Sequence, residues 1–349
     1  MLPGLAKEVA DFSSLERFGR IRSRHGTTLV DRGIGKLSVF KGIDFRTFLH
    51  TYENGVIQSE VEVFKRAAEL VAGFGKSVCV QQPPQTLVTV TKPGTVYPVV
   101  YGVLFPDWEH GSVDRFIDNA NLAGVRIPIR TEVKWCYQMT LALLYTHHVA
   151  NTYHMNVTPA NFVIDSSKDP TLVDWEQDYA APYTAAPEVD GTWNAAVTSI
   201  YSPSTPTPLQ YTKHRGPSRR NMINTHHRGN KQWMEWNPFK QWHWNCPRAC
   251  ELAEVFSLGR SMWMLLRQVS ELDLVDVDSP LELQIDWQSC DNIPSGIKRM
   301  VESCMAKDPN ERPNLQRPQV FWKLMAKDVG GVARRPEKKG QRSMDTTSQ

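Results

Sequence analysis

Tyr153-His-Met-Asn-Val-Thr-Pro-Ala-Asn-Phe-Val-Ile-Asp165, continued by Thr171-Leu-Val-Asp-Trp-Glu176, is the stretch whose reading decides the fold. Two short apolar runs, Phe162–Ile164 and Thr171–Val173, are long enough only for brief strands. A polar loop around Pro159 precedes the first run, and a turn separates the two. Each run ends in an acid, Asp165 and Asp174, and Asn161 stands just before the first. A loop–strand–turn–strand unit of this kind can hold an Asn and an Asp close enough to share one divalent cation. Both offer the hard oxygen ligands that Mg²⁺ takes.

His154-Met-Asn-Val-Thr-Pro-Ala-Asn161 resembles the catalytic loop of protein kinases, H-R-D-L-x-x-x-N, and Asp174-Trp-Glu176 resembles their D-F-G. The spacings agree, with five residues from Asn156 to Asn161 and thirteen from Asn161 to Asp174. The resemblance implies Asn161 and Asp174 as the metal pair and His154 as support for the loop. Asn156 stands where that family has its catalytic Asp, and Thr158 stands where Ser/Thr kinases have a Lys beside the γ-phosphate. An amide cannot take a proton as a carboxylate does, although its oxygen can still orient a hydroxyl. General-base help is worth roughly 10²–10⁴-fold, so its loss slows a kinase without necessarily abolishing transfer.

Upstream, residues 26–42 read as a β-hairpin that turns at Asp31–Gly35. Its second run ends Val39-Phe-Lys41, similar to the V-A-I-K strand whose Lys reaches the α/β-phosphates of ATP. Ile57, Val61, Phe64, Ala68 and Val71 recur at helical spacing and predict a helix over 57–71. The resemblance makes Glu60 the acid that orients Lys41, with Glu62 as the alternate. A G-x-G-x-x-G loop before Lys41 is missing, since Gly19, Gly26, Gly33 and Gly35 are wrongly spaced for it. Leu5–Phe12 and Ser14–Arg17 read as short helix. Ser77–Val80, Leu87–Thr91 and Val99–Phe105 read as further strands, completing a sheet of about five. Residues 106–112 have the composition of a connector and resemble the kinase hinge. On that likeness Phe105 is the gatekeeper, the Pro106 carbonyl and Trp108 N–H meet the adenine edge, and Val163 lines the nucleotide. A short helix is expected over Val113–Asn119. A long one is expected over 131–150, with Thr131 as N-cap and Glu132 in the first turn. His147 and His148 are adjacent on it and so do not share a face for a metal.

Downstream, Tyr183–Glu188 contains A-P-E, and Glu188 lies fourteen residues after Asp174. Thr184 is the only Ser or Thr in that segment, so the usual phosphorylation switch of the family is not expected. Glu254–Gly259 resembles the D-V-W-S-F-G that opens the family's central helix, with Glu for Asp. Ser303–Pro313 resembles C-L-x-x-D-P-x-x-R-P, and by analogy Glu188 pairs with Arg312. Between Glu188 and Glu254 lie 65 residues where the family needs a short link. They are Pro-, Ser- and Thr-rich first, then basic and Trp-rich (Trp233, Trp236, Trp242, Trp244). Basic residues interleaved with aromatics can bind nucleic acid or acidic peptides. The favoured reading folds the Trps back onto the larger lobe, because no nucleic-acid motif is present. His243, Cys246 and Cys250 have no fourth partner at zinc spacing. The variant D-W-E with this insertion resembles a group of kinase-like proteins best known in fungi.

The net charge of +3 is segregated. Residues 190–249 hold eight Lys/Arg against two Asp/Glu, and residues 327–349 hold six against three, so the remainder is near −6. The six Cys are scattered, as in a reducing interior, which implies an intracellular, cytoplasmic or nuclear protein. No apolar run approaches a membrane span, so no membrane partner is expected. The expected architecture is α+β and bilobal, protein-kinase-like. It has an N-terminal segment (1–25), a small β-rich lobe (26–105), a larger helical lobe (106–326) with the insertion at 190–249, and a disordered basic tail (327–349). The implied cofactors are ATP and Mg²⁺. The implied partner is a protein substrate carrying a Ser/Thr hydroxyl, or a protein bound through the larger lobe and insertion if phosphotransfer is lost.

Overall fold

The computed structural model of the chain describes residues 8–20, 28–31, 37–42, 66–75, 77, 79–84, 86–91, 96, 98–108, 110–177, 183–198, 208–216, 238–274, 283–288 and 290–332. Among the described residues the fold is mixed, with one six-stranded sheet, two small two-stranded ribbons and a large helical portion.

The sheet has strands β1 (Glu8–Asp11), β2 (Glu16–Arg20), β3 (Thr28–Asp31), β4 (Leu37–Gly42), β5 (Thr86–Thr91) and β6 (Pro98–Pro106), in the order β1-β5-β6-β4-β3-β2. The strands of the hairpin expected over 26–42 pair antiparallel, with Leu29 opposite Val39, while residues 32–35 of the turn expected at Asp31–Gly35 lie outside the described residues. Alternation along β4 sends Val39 and Lys41 to one face and Phe40 to the other. β6 is in register with it, Val39 opposite Phe105 and Lys41 opposite Val103. One face of the sheet thus carries Val39, Val103 and Phe105 around Lys41. The other buries Val30, Phe40, Val88 and Leu104 against Leu15 and Tyr101.

Residues 66–72 are helical (α1), the part of the predicted 57–71 helix that lies within the described residues. The connector after β6 ends at Ser112, whose hydroxyl accepts the Arg115 N–H and caps α2 (Val113–Leu122), a helix longer than the expected Val113–Asn119. Then come α3 (Ile129–His148), β7 (Phe162–Ile164), β8 (Pro170–Leu172), β9 (Trp193–Val197), β10 (Leu209–Lys213), α4 (Pro238–Asn245), α5 (Pro247–Arg267), α6 (Ser295–Cys304) and α7 (Gln316–Val332). Helix α5 is buried on nearly every side, and its buried residues include the polar Glu254, Ser257, Arg260 and Ser261 as well as apolar ones. Its Leu258, Met262 and Leu265 share one core with Met139 and Leu143 of α3, Val301 of α6 and Trp322 of α7. Gly259 lets α6 approach, because a Cβ there would stand 2.8 Å from both Cys304 Cβ and Met305 Cγ.

Several expectations need correction. Residues 8–20 form two strands and one 3-10 turn instead of helix, because β1 pairs in parallel with β5 and β2 pairs with β3. Those residues are therefore built into the sheet. Among the described residues of the strand expected over 77–80, Val80 forms an isolated bridge to Leu172 in place of a strand. Helix α3 starts two residues before Thr131, with Pro128 at its N-cap and no side-chain cap. Helix α7 runs to Val332, so residues 327–332 belong to it and not to the tail; residues 333–349 lie outside the described residues. No helix among the described residues is long and apolar enough to cross a membrane.

Candidate functional site

The quoted stretch folds as its sequence suggests. β7 and β8 pair antiparallel, Phe162 opposite Leu172 and Ile164 opposite Pro170, one residue earlier on the second strand than expected. Asp165 is consumed by the turn between them, its Oδ1 accepting the N–H groups of Ser167 and Asp169, both at 2.9 Å. Of the two strand-ending acids, Asp174 alone is left for the cleft.

Two ties bring Asp174 to the polar loop. The Val173 N–H donates to the Asn161 carbonyl at 2.9 Å. His154 Nε2 donates to the Val173 carbonyl at 2.7 Å. The other ring nitrogen, Nδ1, accepts the Asn156 N–H at 3.3 Å, so the proton sits on Nε2 and the ring is neutral. Burial also pushes the His154 pKa down, against the pull of Glu254 and the Val173 carbonyl. Trp175 is clamped edge-to-face between His154 and Phe74, 4.6 Å from each. Asp174 itself has φ +69°, a left-handed conformation that costs a non-glycine residue on the order of 1–3 kcal/mol. The flanking ties hold it there.

The loop hangs from α5. Glu254 accepts the N–H groups of His154 (2.6 Å) and Met155, and is bonded to His147 Nε2 at 2.7 Å. Burial favours its neutral form, but His147, His154 and the Met155 amide outweigh burial and lower its pKa. His148 lies 3.6 Å from Glu251, so each of the paired histidines faces an acid of α5. Glu188 and Arg312 form the expected pair, bidentate and buried, with Nη2 to Oε2 at 2.9 Å.

At the centre, Lys41 Nζ stands 2.6 Å from Asp174 Oδ1 and 2.5 Å from Glu176 Oε1. Burial by itself lowers the lysine pKa, but Asp174 and Glu176 outweigh it and the net shift is upward, so Lys41 stays charged. Asn161 donates its amide N–H to the Asn156 carbonyl at 2.8 Å, which leaves its amide oxygen as the atom for a cation. Asn161 and Asp174 together supply hard oxygen donors, a chemistry that fits Mg²⁺. Among the described residues there is no group of three or more His, Cys, Asp or Glu arranged for a metal. A Mg²⁺ held here by Asn161 and Asp174 alone would need other ligands, such as phosphate oxygens or water.

The remaining expected residues fall as follows. Phe105 lines the same cavity as Lys41, Val103 and Glu176. Trp108 packs on Phe105 with centroids 6.3 Å apart, and Pro106 ends β6. The connector is stitched to β7 by the Ile164 N–H to Gly111 carbonyl bond (2.8 Å) and a Ser112–Val163 bridge, which brings Val163 beside it. Asn156 Oδ1 is buried without a hydrogen-bond partner. Thr158 donates to Glu271 Oε1 at 2.6 Å. Thr184 is fully buried and donates to the Val157 carbonyl. Glu60 and Glu62 lie outside the described residues, as do residues 21–27, which join β2 to β3.

Sequence reasoning missed Glu176 as a partner of Lys41 and Glu271 as a partner of Thr158. The first had a signal, an acid where D-F-G has glycine. The second had none, because 113 residues separate the pair. In the insertion, Trp242 is buried with Phe239 and Tyr153, whereas Trp244 is 78% exposed. Trp233 and Trp236 lie outside the described residues. Cys246 and Cys250 are buried, their thiols donating to the carbonyls of Ala195 and Phe239. No family model matches this chain, and no curated protein matches it.

Proposed function

We propose that the chain is a divergent, bilobal protein-kinase-like protein. Its cleft, between the six-stranded sheet and the helical portion, binds Mg-ATP and transfers the γ-phosphate slowly to a protein Ser/Thr hydroxyl. The observation that carries this reading is the meeting of Lys41, from the sheet, with Asp174, from the loop that also holds Asn161. The sheet order supports it, since β2-β3-β4-β6-β5 is the antiparallel arrangement such a small lobe uses. So do the Glu254 hold on the loop and the Glu188–Arg312 pair.

In this reading Lys41 faces the phosphates, and Asn161 with Asp174 would hold Mg²⁺. That ion supplies charge neutralisation at the phosphate oxygens. Val39, Phe105 and Val163 give apolar contact to the base, and the connector at Pro106–Trp108 gives it backbone polar groups. Asn156 stands where the acceptor hydroxyl is oriented but, as an amide, accepts no proton. Thr158 is tied to Glu271 and brings no charge to the γ-phosphate.

A second reading, a pseudokinase that binds partners without transfer, is favoured by one observation, the amide at 156. The two are separated by γ-phosphate transfer to a generic protein acceptor, comparing wild type, Asp174→Ala and Asn156→Asp. The expected result is slow transfer by wild type, none by Asp174→Ala, and acceleration by Asn156→Asp of at least about 10²-fold. Wild type and Asn156→Asp that both transfer no faster than Asp174→Ala would leave the pseudokinase reading.

A further inference from the structure

We infer that Glu176, and not an acid on helix α1, is the positioning residue that holds Lys41 toward phosphate; this rests on the nucleotide-binding reading above. Glu176 Oε1 is 2.5 Å from Lys41 Nζ, and both side chains are 7% exposed. Asp174, the other carboxylate on Lys41, is 28% exposed. One ammonium therefore has a buried partner and a solvent-accessible one. A divalent cation competing for Asp174 leaves Lys41 still paired to Glu176.

Within its described residues, 66–72, α1 offers no acid where Lys41 lies. Ala67, Ala68 and Val71 of α1 line the same cavity as Lys41 and Glu176. Glu69, the one acid among residues 66–75, is exposed. Glu176 is also rigidly placed. It follows Trp175, which is 2% exposed and locked between His154 and Phe74. Both acids that meet Lys41 thus ride on one three-residue segment, Asp174–Glu176. Lysine placement is then independent of any shift of α1. The ligand served is a Mg-nucleoside triphosphate, the same one as in the proposed function.

The test is calorimetric titration of the full chain with Mg-ATP, for wild type, Glu176→Gln, Glu60→Gln, Lys41→Met and the Lys41→Met/Glu176→Gln double variant. Glu176→Gln is expected to weaken binding by about tenfold or more, and Glu60→Gln to stay within about twofold of wild type. In the Lys41→Met background, Glu176→Gln should add no further loss, because it acts through Lys41. A merely structural Glu176 would lower the unfolding midpoint and leave the affinity alone. Should Glu176→Gln fail to fold, Glu176→Asp keeps the charge but withdraws it by one methylene, and weaker binding is again expected. Unchanged affinity in the folded Glu176 variant, or the loss appearing in Glu60→Gln instead, overturns the inference while leaving nucleotide binding intact. Wild type that binds no Mg-ATP overturns the nucleotide reading and this inference with it.

Discussion

Two hydrogen bonds fix the proton on His154, and that proton fixes Asp174. The ring accepts from Asn156 on one side and donates to the Val173 carbonyl on the other, so it works as a neutral strut. His154→Phe keeps the ring volume against Trp175 but leaves the buried Val173 carbonyl without its donor. The expected cost is about 1–3 kcal/mol in denaturant unfolding. A stability equal to wild type would mean the carbonyl finds another partner. A second residue carries pH dependence. Glu132 is fully buried, and its Oε2 has no hydrogen-bond partner. Burial pushes its pKa up from 4.5 to about 8, with Arg126 at 3.3 Å opposing. Between those two values the folded state holds a proton that the unfolded state has released. Stability contributed by this group is thus complete below about 4.5 and falls as pH rises toward about 8. Over that window the fall is at most about 1.4 kcal/mol for each step of one in pH, and Glu132→Gln should remove it. Urea unfolding of both proteins across the window checks this. Parallel curves would show that Glu132 is ionised in the fold.

At the scale of elements, the contact of α5 with α6 rests on Gly259. Gly259→Ala gains helix propensity, worth about 1 kcal/mol, but puts a methyl 2.8 Å from Cys304 Cβ. Neither helix has room to yield, since both bury Leu258, Val301 and their neighbours in one core. Overpacking costs about 1–3 kcal/mol, so net destabilisation is expected from urea unfolding. The Glu188–Arg312 pair ties the segment after Asp174 to the turn before α7. Glu188→Ala leaves a buried guanidinium, and a loss of about 3–5 kcal/mol is expected in the same measurement. Which elements the sequence betrayed follows from how local their causes are. β3, β4, β7 and β8 were legible because alternation and turn residues lie within each hairpin. β1 was not, because Glu8–Asp11 becomes a strand only by pairing with β5, some 78 residues away in Glu8–Thr86. Ser112 was the side-chain cap of α2, while Thr131 proved not to cap α3, whose N-cap is Pro128. The site divides in the same way. The spacing singled out Asn161 and Asp174, and a likeness to V-A-I-K singled out Lys41, which meets Asp174 in the structure; the contact with Glu176 depends on which carboxylates surround a lysine from a distant strand.

On the scale of the whole molecule, the sheet and the helical portion meet in a polar contact at the cleft. Lys41 comes from β4, Asp174 and Glu176 from the segment after β8, and both bonds cross between the two portions. The described part of the basic insertion stands apart from them. Its hairpin β9–β10 is anchored by Asn310, which bonds both the N–H and the carbonyl of Leu209, and Trp242 is buried beside it. The described part of the insertion therefore lies over the helical portion and not in the cleft. The central claim is that the Lys41–Asp174 meeting point is a metal–nucleotide site. Ligand that binds the folded state alone must raise the unfolding midpoint, by about 2.7 kcal/mol of stability at a hundredfold excess over Kd. Thermal unfolding of wild type and Asp174→Ala, each with and without millimolar Mg-ATP, tests the claim most directly. The account predicts a midpoint raised by Mg-ATP in wild type and unmoved in Asp174→Ala; no shift in wild type, or an equal shift in both, would contradict it.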